Sequence, residues 1–264
     1  MNLQSLTVRV IDIAKDAGKI IRDNIANINN HIIETKGLND YVTDIDRTCE
    51  KRIVTELEKL IPKAGFITEE GTSEKIGKEF NWIIDPLDGT TNFIHSFFPC
   101  AVSIGLKQND NIILGVVYEV GLDECFYAWD KGGAWLNGNQ IKVSGTPLLK
   151  DSLVATGFPY HEFKPLDNYI DLLKYLTKNS QGIRRLGSAA TDMAYVACGR
   201  FDGFYEYNLK AWDVAAGIIL INEAGGKICD FCGGKNYLFG KEIVATNSGF
   251  FSEFSSIVMK FMKD

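Results

Sequence analysis

The stretch from Asn81 to Phe93, Asn-Trp-Ile-Ile-Asp-Pro-Leu-Asp-Gly-Thr-Thr-Asn-Phe, sets two aspartates around a proline at the end of an apolar run. Trp82, Ile83 and Ile84 predict a buried strand, and Pro86, which has no amide to donate, predicts that the strand stops at Asp85. Pro86 also restricts the backbone of Asp85, so Asp85 and Asp88 project from one tight turn with the Leu87 carbonyl directed at the same point. Gly89, Thr90 and Thr91 then lead into a short helical pattern from Asn92 to Phe97, whose first amides are open to an anion.

Two carboxylates about 4 Å apart repel by roughly 4 kcal/mol at an effective dielectric near 20. A divalent cation removes that conflict. Carboxylates, a carbonyl and hydroxyls are hard oxygen ligands that suit magnesium or manganese better than zinc, and magnesium commonly shares its shell with phosphate. The expected substrate is therefore a phosphate ester. An Asx-type turn in which both aspartates only cap backbone amides fits the same residues, so the remainder of the chain has to separate the two.

At 264 residues and 45% hydrophobic content, the chain is long enough for one large domain or two ordinary ones with a full core. A net charge of −6 argues against nucleic acid or an anionic membrane as a general partner. No run approaches the roughly 18 apolar residues of a membrane span, and Met1–Asn30 carries charges throughout, so a cytoplasmic protein is expected. The six cysteines are scattered and read as reduced thiols. Cys229-Asp-Phe-Cys232 has motif spacing without a second pair, and reads as a strand between glycine turns in preference to half a zinc site. His31, His95 and His161 are too dispersed for a metal triad, and His95 is either a ligand contact or a solvated helix end.

Along the chain, apolar spacing predicts a packing helix over residues 3 to 28 and a second from Thr43 or Asp44 to Leu60. Between them, Lys36-Gly-Leu-Asn-Asp40 reads as a mobile surface loop, with Lys36 solvated unless a phosphate lies near. Asp40, Asp44 and Asp46 surround the second helix start, where capping accounts for most of them. Gly65–Glu70 is a strand ending in acids, and Glu69 shares the site with Asp85 if the two strands are neighbours. Short strands over 101–106, 112–119, 124–129 and 133–136 predict an antiparallel meander with helices on one face. A boundary at Ser144-Gly-Thr-Pro147 separates residues 1–146, an α+β domain with the aspartate turn, from an α/β domain of residues 147–264. There, Gly187 and Ser188 begin a helix beside Arg184 and Arg185, which suit either a phosphate or a subunit interface; Glu206 lies near a strand end, and Asp213 in the first turn of a helix suits its dipole.

Taken together, Thr68-Glu-Glu70, Asp85-Pro-Leu-Asp-Gly-Thr-Thr-Asn92, Gly187-Ser-Ala189 and Trp212-Asp-Val-Ala-Ala-Gly217 resemble the metal-dependent inositol monophosphatase family over nearly the whole chain. Gly199-Arg-Phe-Asp-Gly203 and Ile183-Arg-Arg-Leu-Gly-Ser-Ala-Ala190 are closer to bacterial members than to animal ones. The resemblance implies a layered α-β-α-β-α sandwich with its site between two halves, a homodimer, and magnesium-dependent hydrolysis of a phosphate monoester, myo-inositol 1-phosphate first. It implies two or three magnesium ions per site, manganese as a substitute and inhibition by lithium. Glu69, Asp85 and the Leu87 carbonyl would hold one ion and Asp85, Asp88 and Asp213 another. Gly89, Thr90 and Thr91 would receive the phosphate, Glu69 and Thr90 would orient the attacking water, and Asp46 would support them. Lys36 matches a mobile-loop lysine, and Gly187, Ser188, Ala189, Glu206 and Asp213 match positions on the alcohol. Two departures stand out: a shorter loop before Asp40, and Thr68 where glycine is usual.

Two metals about 3.5–4 Å apart suit in-line attack by a metal-activated water without a phosphoenzyme. The same scaffold serves phosphatases of fructose 1,6-bisphosphate, 3′-phosphoadenosine 5′-phosphate, histidinol phosphate and NADP. Some bacterial relatives instead act in transcription antitermination, so a binding module contacting the transcription machinery is the competing expectation, with Arg184, Arg185 and Arg200 as its candidate surface.

Overall fold

The computed structural model describes residues 1–26, 32–37, 40–159 and 163–262, with backbone alone at 36, 37 and 40. His31 and His161 lie outside the described residues. Helix α1 (Leu3–Ile25) buries Leu6, Val10, Ala14, Ala17 and Ile21, the stripe read from its period. The segment expected as a loop is instead a hairpin, β1 (Ile33–Gly37) against β2 (Asp40–Thr43), with Gly37 opposite Asp40. Alternating Ile33, Thr35 and Tyr41, Thr43 give these short runs strand character that a Lys-Gly-x-Asn-Asp turn alone conceals. Helix α2 (Asp44–Leu60) opens with a capping box, in which Thr43 accepts from the Ile45 and Asp46 amides and Asp46 accepts from the Thr43 amide at 2.8 Å.

The first sheet runs β3 (Gly65–Thr68), β4 (Phe80–Asp88), β5 (Ala101–Gln108), β6 (Asn111–Glu119), β7 (Glu124–Trp129), β8 (Ala134–Leu136) and β9 (Asn139–Ile141), side by side in that order. All neighbours are antiparallel except β3 and β4, which are parallel. Contrary to expectation, β4 does not stop at Asp85. Its pairing to β5 slips by a bulge between Asp85 and Asp88 and resumes at Asp88 opposite Ala101. The bulge lets Pro86 sit where no ladder amide is needed.

The second sheet is ordered β11 (Gly182–Arg184), β10 (Leu153–Thr156), β12 (Gly203–Tyr207), β14 (Glu242–Thr246), β13 (Lys227–Cys229). Strand β13 ends at Cys229, which is buried, while Cys232 lies exposed in the following turn; all six cysteines are free thiols.

Five layers follow from the packing. Helices α1 and α2 cover one face of the first sheet, over a core containing Trp82, Ile84, Val102, Ile104 and Val116. Helices α5 (Ala189–Ala197) and α6 (Ala211–Glu223) fill the space between the sheets, around Met193, Phe204, Ala216 and Leu220. Helices α4 (Leu166–Asn179) and α7 (Phe251–Met262) close the far side of the second sheet over Tyr169, Tyr205 and Phe254. This is the layered α-β-α-β-α sandwich.

Strand alternation makes the two faces of β5 and β6 chemically different. Val102, Ile104 and Leu106 meet α1, whereas Ala101, Ser103, Gly105 and Gly115 turn toward α6. Gly105 and Gly115 are direct cross-strand partners, so α6 rests almost on bare backbone. A Cβ added to Gly115 would lie 2.6 Å from Ile219 Cγ2 and 2.7 Å from the Ala216 carbonyl oxygen. The Ser103 hydroxyl donates to the Trp212 carbonyl at 3.2 Å and pins the start of α6 on this ledge. Gly115→Ala is accordingly expected to destabilise the fold by about 1–3 kcal/mol through overpacking. The measurement is a urea melt, with a lower midpoint at constant m-value; an unchanged midpoint would show that α6 is not in tight contact there.

Candidate active site

Three segments bring acids to one cavity of about 100 Å³, bordered by Tyr41, Glu69, Asp85, Asp88, Thr90 and Asp213 among others. Parallel pairing of Thr68 with Ile84 sets Glu69 beside Asp85, and the two carboxyls share a hydrogen bond. Asp85 is 2% exposed and accepts from the Leu87 amide at 2.9 Å, so the bulge folds back on its own aspartate. Asp88 crosses to the other half of the molecule, accepting from the Ser188 hydroxyl and the Ala190 amide, both at 2.7 Å. Asp213 stands in the first turn of α6 and accepts from the Lys210 amide at 2.6 Å.

The Thr90 hydroxyl lies 3.0 Å from Asp46 Oδ1 and 3.0 Å from the Leu87 carbonyl. With a single hydrogen it donates to one of them at a time. Asp46 thus has two jobs: Oδ2 closes the capping box with Thr43, while Oδ1 meets Thr90. Gly89, at φ 95°, caps the short helix α3 (Thr90–Ile94); the expected helix to Phe97 ends earlier, and His95 is an exposed residue at its close. Gly89, Thr91 and Gly187 also border the cavity, while Ser188, Ala189 and Glu206 border a second cavity adjoining it. Lys36 belongs to β1, and its side chain is outside the described residues.

Several contributors escaped the sequence reading. Glu50, fully buried on α2, accepts from the amides of Glu70 at 2.7 Å and Thr72 at 2.8 Å, fixing the turn that carries Glu69. Asn92 ties the two halves, donating to the carbonyls of Pro99 and Leu186 at 2.8 Å. Its place at the end of the Asp-Gly-Thr-Thr-Asn motif was the available signal. Tyr41 has none, since it directly follows the segment 36–40, whose residues predict a loop. Thr68 buries a hydroxyl that has no hydrogen-bond partner among the described residues.

Burial dominates the electrostatics. Asp85 is raised well above the ordinary carboxylate range by desolvation, then by the charges of Glu69, Asp88 and Asp213. Asp88 is pushed up to about 6 by burial, against hydrogen bonds from Ser188, Ala190 and Ala189 and the charge of Arg185. Asp213 is pushed up to about 7 by burial and Asp88. Among the described residues the available ligand atoms are oxygens only, since neither histidine nor cysteine borders the cavity. Among the described residues no three acidic, histidine or cysteine side chains close into a tight cage. An acid set that is buried, crowded and open toward a cavity fits a hard cation that keeps places for other oxygen ligands.

The model of the inositol monophosphatase family matches residues 2–258. The chain belongs to the inositol monophosphatase family. It is 41% identical over 239 residues to an inositol-1-monophosphatase of Mesorhizobium japonicum, covering 90% of each chain. It is equally 41% identical over 240 residues to the Nus factor SuhB of Pseudomonas aeruginosa, covering 89% of each. The extragenic suppressor protein suhB of Bartonella henselae superposes with a TM-score of 0.90 at 38% identity, over 98% of this chain and 99% of that one. The family's fold is a phosphatase fold, and the motifs that bear the resemblance are those bordering the cavity. No described helix is long and apolar enough to cross a membrane.

The raised carboxyls make a prediction for the cation-free protein. Their folded-state affinities for protons exceed the unfolded value of 3.8, so the folded chain takes up protons that the unfolded chain does not. That stabilisation is complete below pH 4 and lost as pH rises through about 6 to 7. In chelator, the melting temperature should therefore be higher at pH 5 than at pH 8; a flat or opposite profile would contradict the burial of these acids.

Proposed function

We propose that this protein hydrolyses a small phosphate monoester with magnesium, and that myo-inositol 1-phosphate is its leading substrate. The observation carrying this is the meeting of Glu69, Asp85, Asp88 and Asp213 at one oxygen-lined cavity within a phosphatase-family fold. Glu69, Asp85 and the Leu87 carbonyl would hold one ion and Asp85, Asp88 and Asp213 the other, with a third ion, manganese substitution and lithium inhibition part of the same proposal. Bound magnesium supplies neutralisation of the phosphate charge and a water of lowered pKa.

The chain's own groups do the rest. Thr90 offers its hydroxyl oxygen as an acceptor to the attacking water, its one hydrogen going to Asp46 or to the Leu87 carbonyl. The Gly89 and Thr90 amides, in a first helical turn without intrahelical acceptors, receive phosphate oxygens together with Thr91. Asp88, fixed by Ser188 and the Ala190 amide, faces the leaving oxygen. Ser188 is engaged with Asp88 and Thr191, and no cysteine or histidine among the described residues borders the cavity, which supports direct displacement over a phosphoenzyme. Lys36 enters this proposal through family resemblance.

A second role, contact with the transcription machinery, is favoured by the relative named a Nus factor. Its arginines do not act as one patch: Arg184 is exposed, Arg185 borders the second cavity, and Arg200 is held by Glu124 over the Tyr195 ring. A homodimer in the cytoplasm is the assembly and setting we propose for either role.

The experiment is phosphate release from inositol 1-phosphate, fructose 1,6-bisphosphate, 3′-phosphoadenosine 5′-phosphate, histidinol phosphate and NADP, with magnesium or chelator. Inositol 1-phosphate should lead, and Asp85→Asn or Asp213→Asn should lose activity on the order of 10²-fold or more while remaining folded. Magnesium should raise the melting temperature more at pH 8 than at pH 5. Turnover of none of these esters, with growth complementation surviving Asp85→Asn, would move the assignment to the transcription role.

A further inference from the structure

Helix α2 carries Asp46 and Glu50 four residues apart, so both carboxylates leave one face of it. Asp46 meets the Thr90 hydroxyl at 3.0 Å, and Glu50, 0% exposed, reaches the turn that follows β3. That turn closes around it: the Glu70 amide donates to Glu50 Oε2 at 2.7 Å and the Thr72 amide to Oε1 at 2.8 Å. Gly71 between them, at φ 67°, bends the chain so that amides two residues apart face the same way, the arrangement by which backbone concavities hold anions. Here the anion is the protein's own side chain. A Cβ on Gly71 would meet nothing within 4 Å, so the position calls for glycine through its backbone alone. The Thr68 and Thr72 hydroxyls add no further hold on α2, since both are buried without a hydrogen-bond partner among the described residues.

Glu69 is therefore gripped from two sides. Its own amide donates to the Ile84 carbonyl at 3.3 Å, and the next residue is fixed on Glu50. A buried carboxylate is costly to leave with one of its donors missing, which makes this pair of bonds a stiff local restraint. Asp88 and Asp213 are held independently of it, by Ser188, Ala190 and Lys210 at the starts of α5 and α6. We infer that Glu50 is a positioning residue which sets how tightly the ion at Glu69 is held and leaves the ion at Asp213 nearly unchanged. The inference rests on the cation sites proposed above and adds which part of the chain tunes each of them. Glu50 touches no ligand, and its effect passes through the turn to the place of the Glu69 carboxyl.

Manganese is the probe, because the paramagnetic resonance signal of the free ion disappears on binding and bound ions can be counted in the full-length protein. Glu50→Gln keeps the shape of the side chain but replaces one accepting oxygen with an NH2 group that cannot accept from an amide. It should weaken one ion by about tenfold or more, the other by less than about threefold, and the ion it spares should be the one that Asp213→Asn weakens. Gly71→Ala should act on the same ion in the same direction, and Gly71→Asn less strongly, because asparagine tolerates the left-handed region better. These two variants place a side chain in open space and carry the test if Glu50→Gln does not fold. Turnover lost at low magnesium in the variants should return as magnesium is raised. Both ions weakened alike, or neither, in variants that melt cooperatively in chelator, would overturn the inference while leaving the cation sites in place. No manganese bound by the unaltered protein would overturn the cation reading, and the inference with it.

Discussion

The close seating of α6 on the first sheet is the contact on which the site depends. Asp213 belongs to the first turn of that helix, Glu69 directly follows β3, and Asp85 and Asp88 flank the bulge in β4. A sheet face of ordinary side chains would hold the helix axis near the usual 10 Å stand-off. Gly105, Gly115, Ala101 and Ser103 remove that padding, and Ser103 binds the Trp212 carbonyl directly ahead of Asp213. The larger side chains of the same strands point the other way into the α1–α2 core, so close approach on one face does not weaken packing on the other.

Bringing the acids together creates the opposite problem, because burial and like charge both disfavour ionised carboxylates. The fold answers with local hydrogen bonds. Leu87 donates to Asp85, Ser188 and Ala190 to Asp88, and Lys210 to Asp213. These donors are mostly backbone amides at turns and helix starts, whose positions the surrounding elements already fix. They hold each carboxyl in place without discharging it, and the raised proton affinities of Asp85, Asp88 and Asp213 measure what is left over. That residual tension is what the cation proposed above would relieve.

Much of this was legible in the chain. Helical spacing marks α1 and α2, alternation marks the meander, and the acid-bearing motifs supply much of the cavity lining. The misreadings have local causes. Pro86 predicts an end to β4, but a bulge that sets Pro86 and Leu87 between the paired Asp85 and Asp88 restores the ladder. The turn of the β1–β2 hairpin predicts a loop because Gly, Asn and Asp dominate it, although Tyr41 on β2 reaches the cavity. Strand β9 is three residues long, too short for a period to show.

By itself the sequence determined which residue types are available and the local turns that display them: Asp85 and Asp88 around Pro86, Gly89 before two threonines, Asp213 at a helix start. These depend on neighbours in the chain, so spacing and propensity reveal them. Only the tertiary structure decided that Glu69 stands beside Asp85, that Glu50 holds the turn after Glu69, and that Asn92 joins Pro99 to Leu186. The physical reason is that strand pairing and burial join residues far apart in the chain, and whether a carboxyl finds a donor depends on what the fold brings across to it.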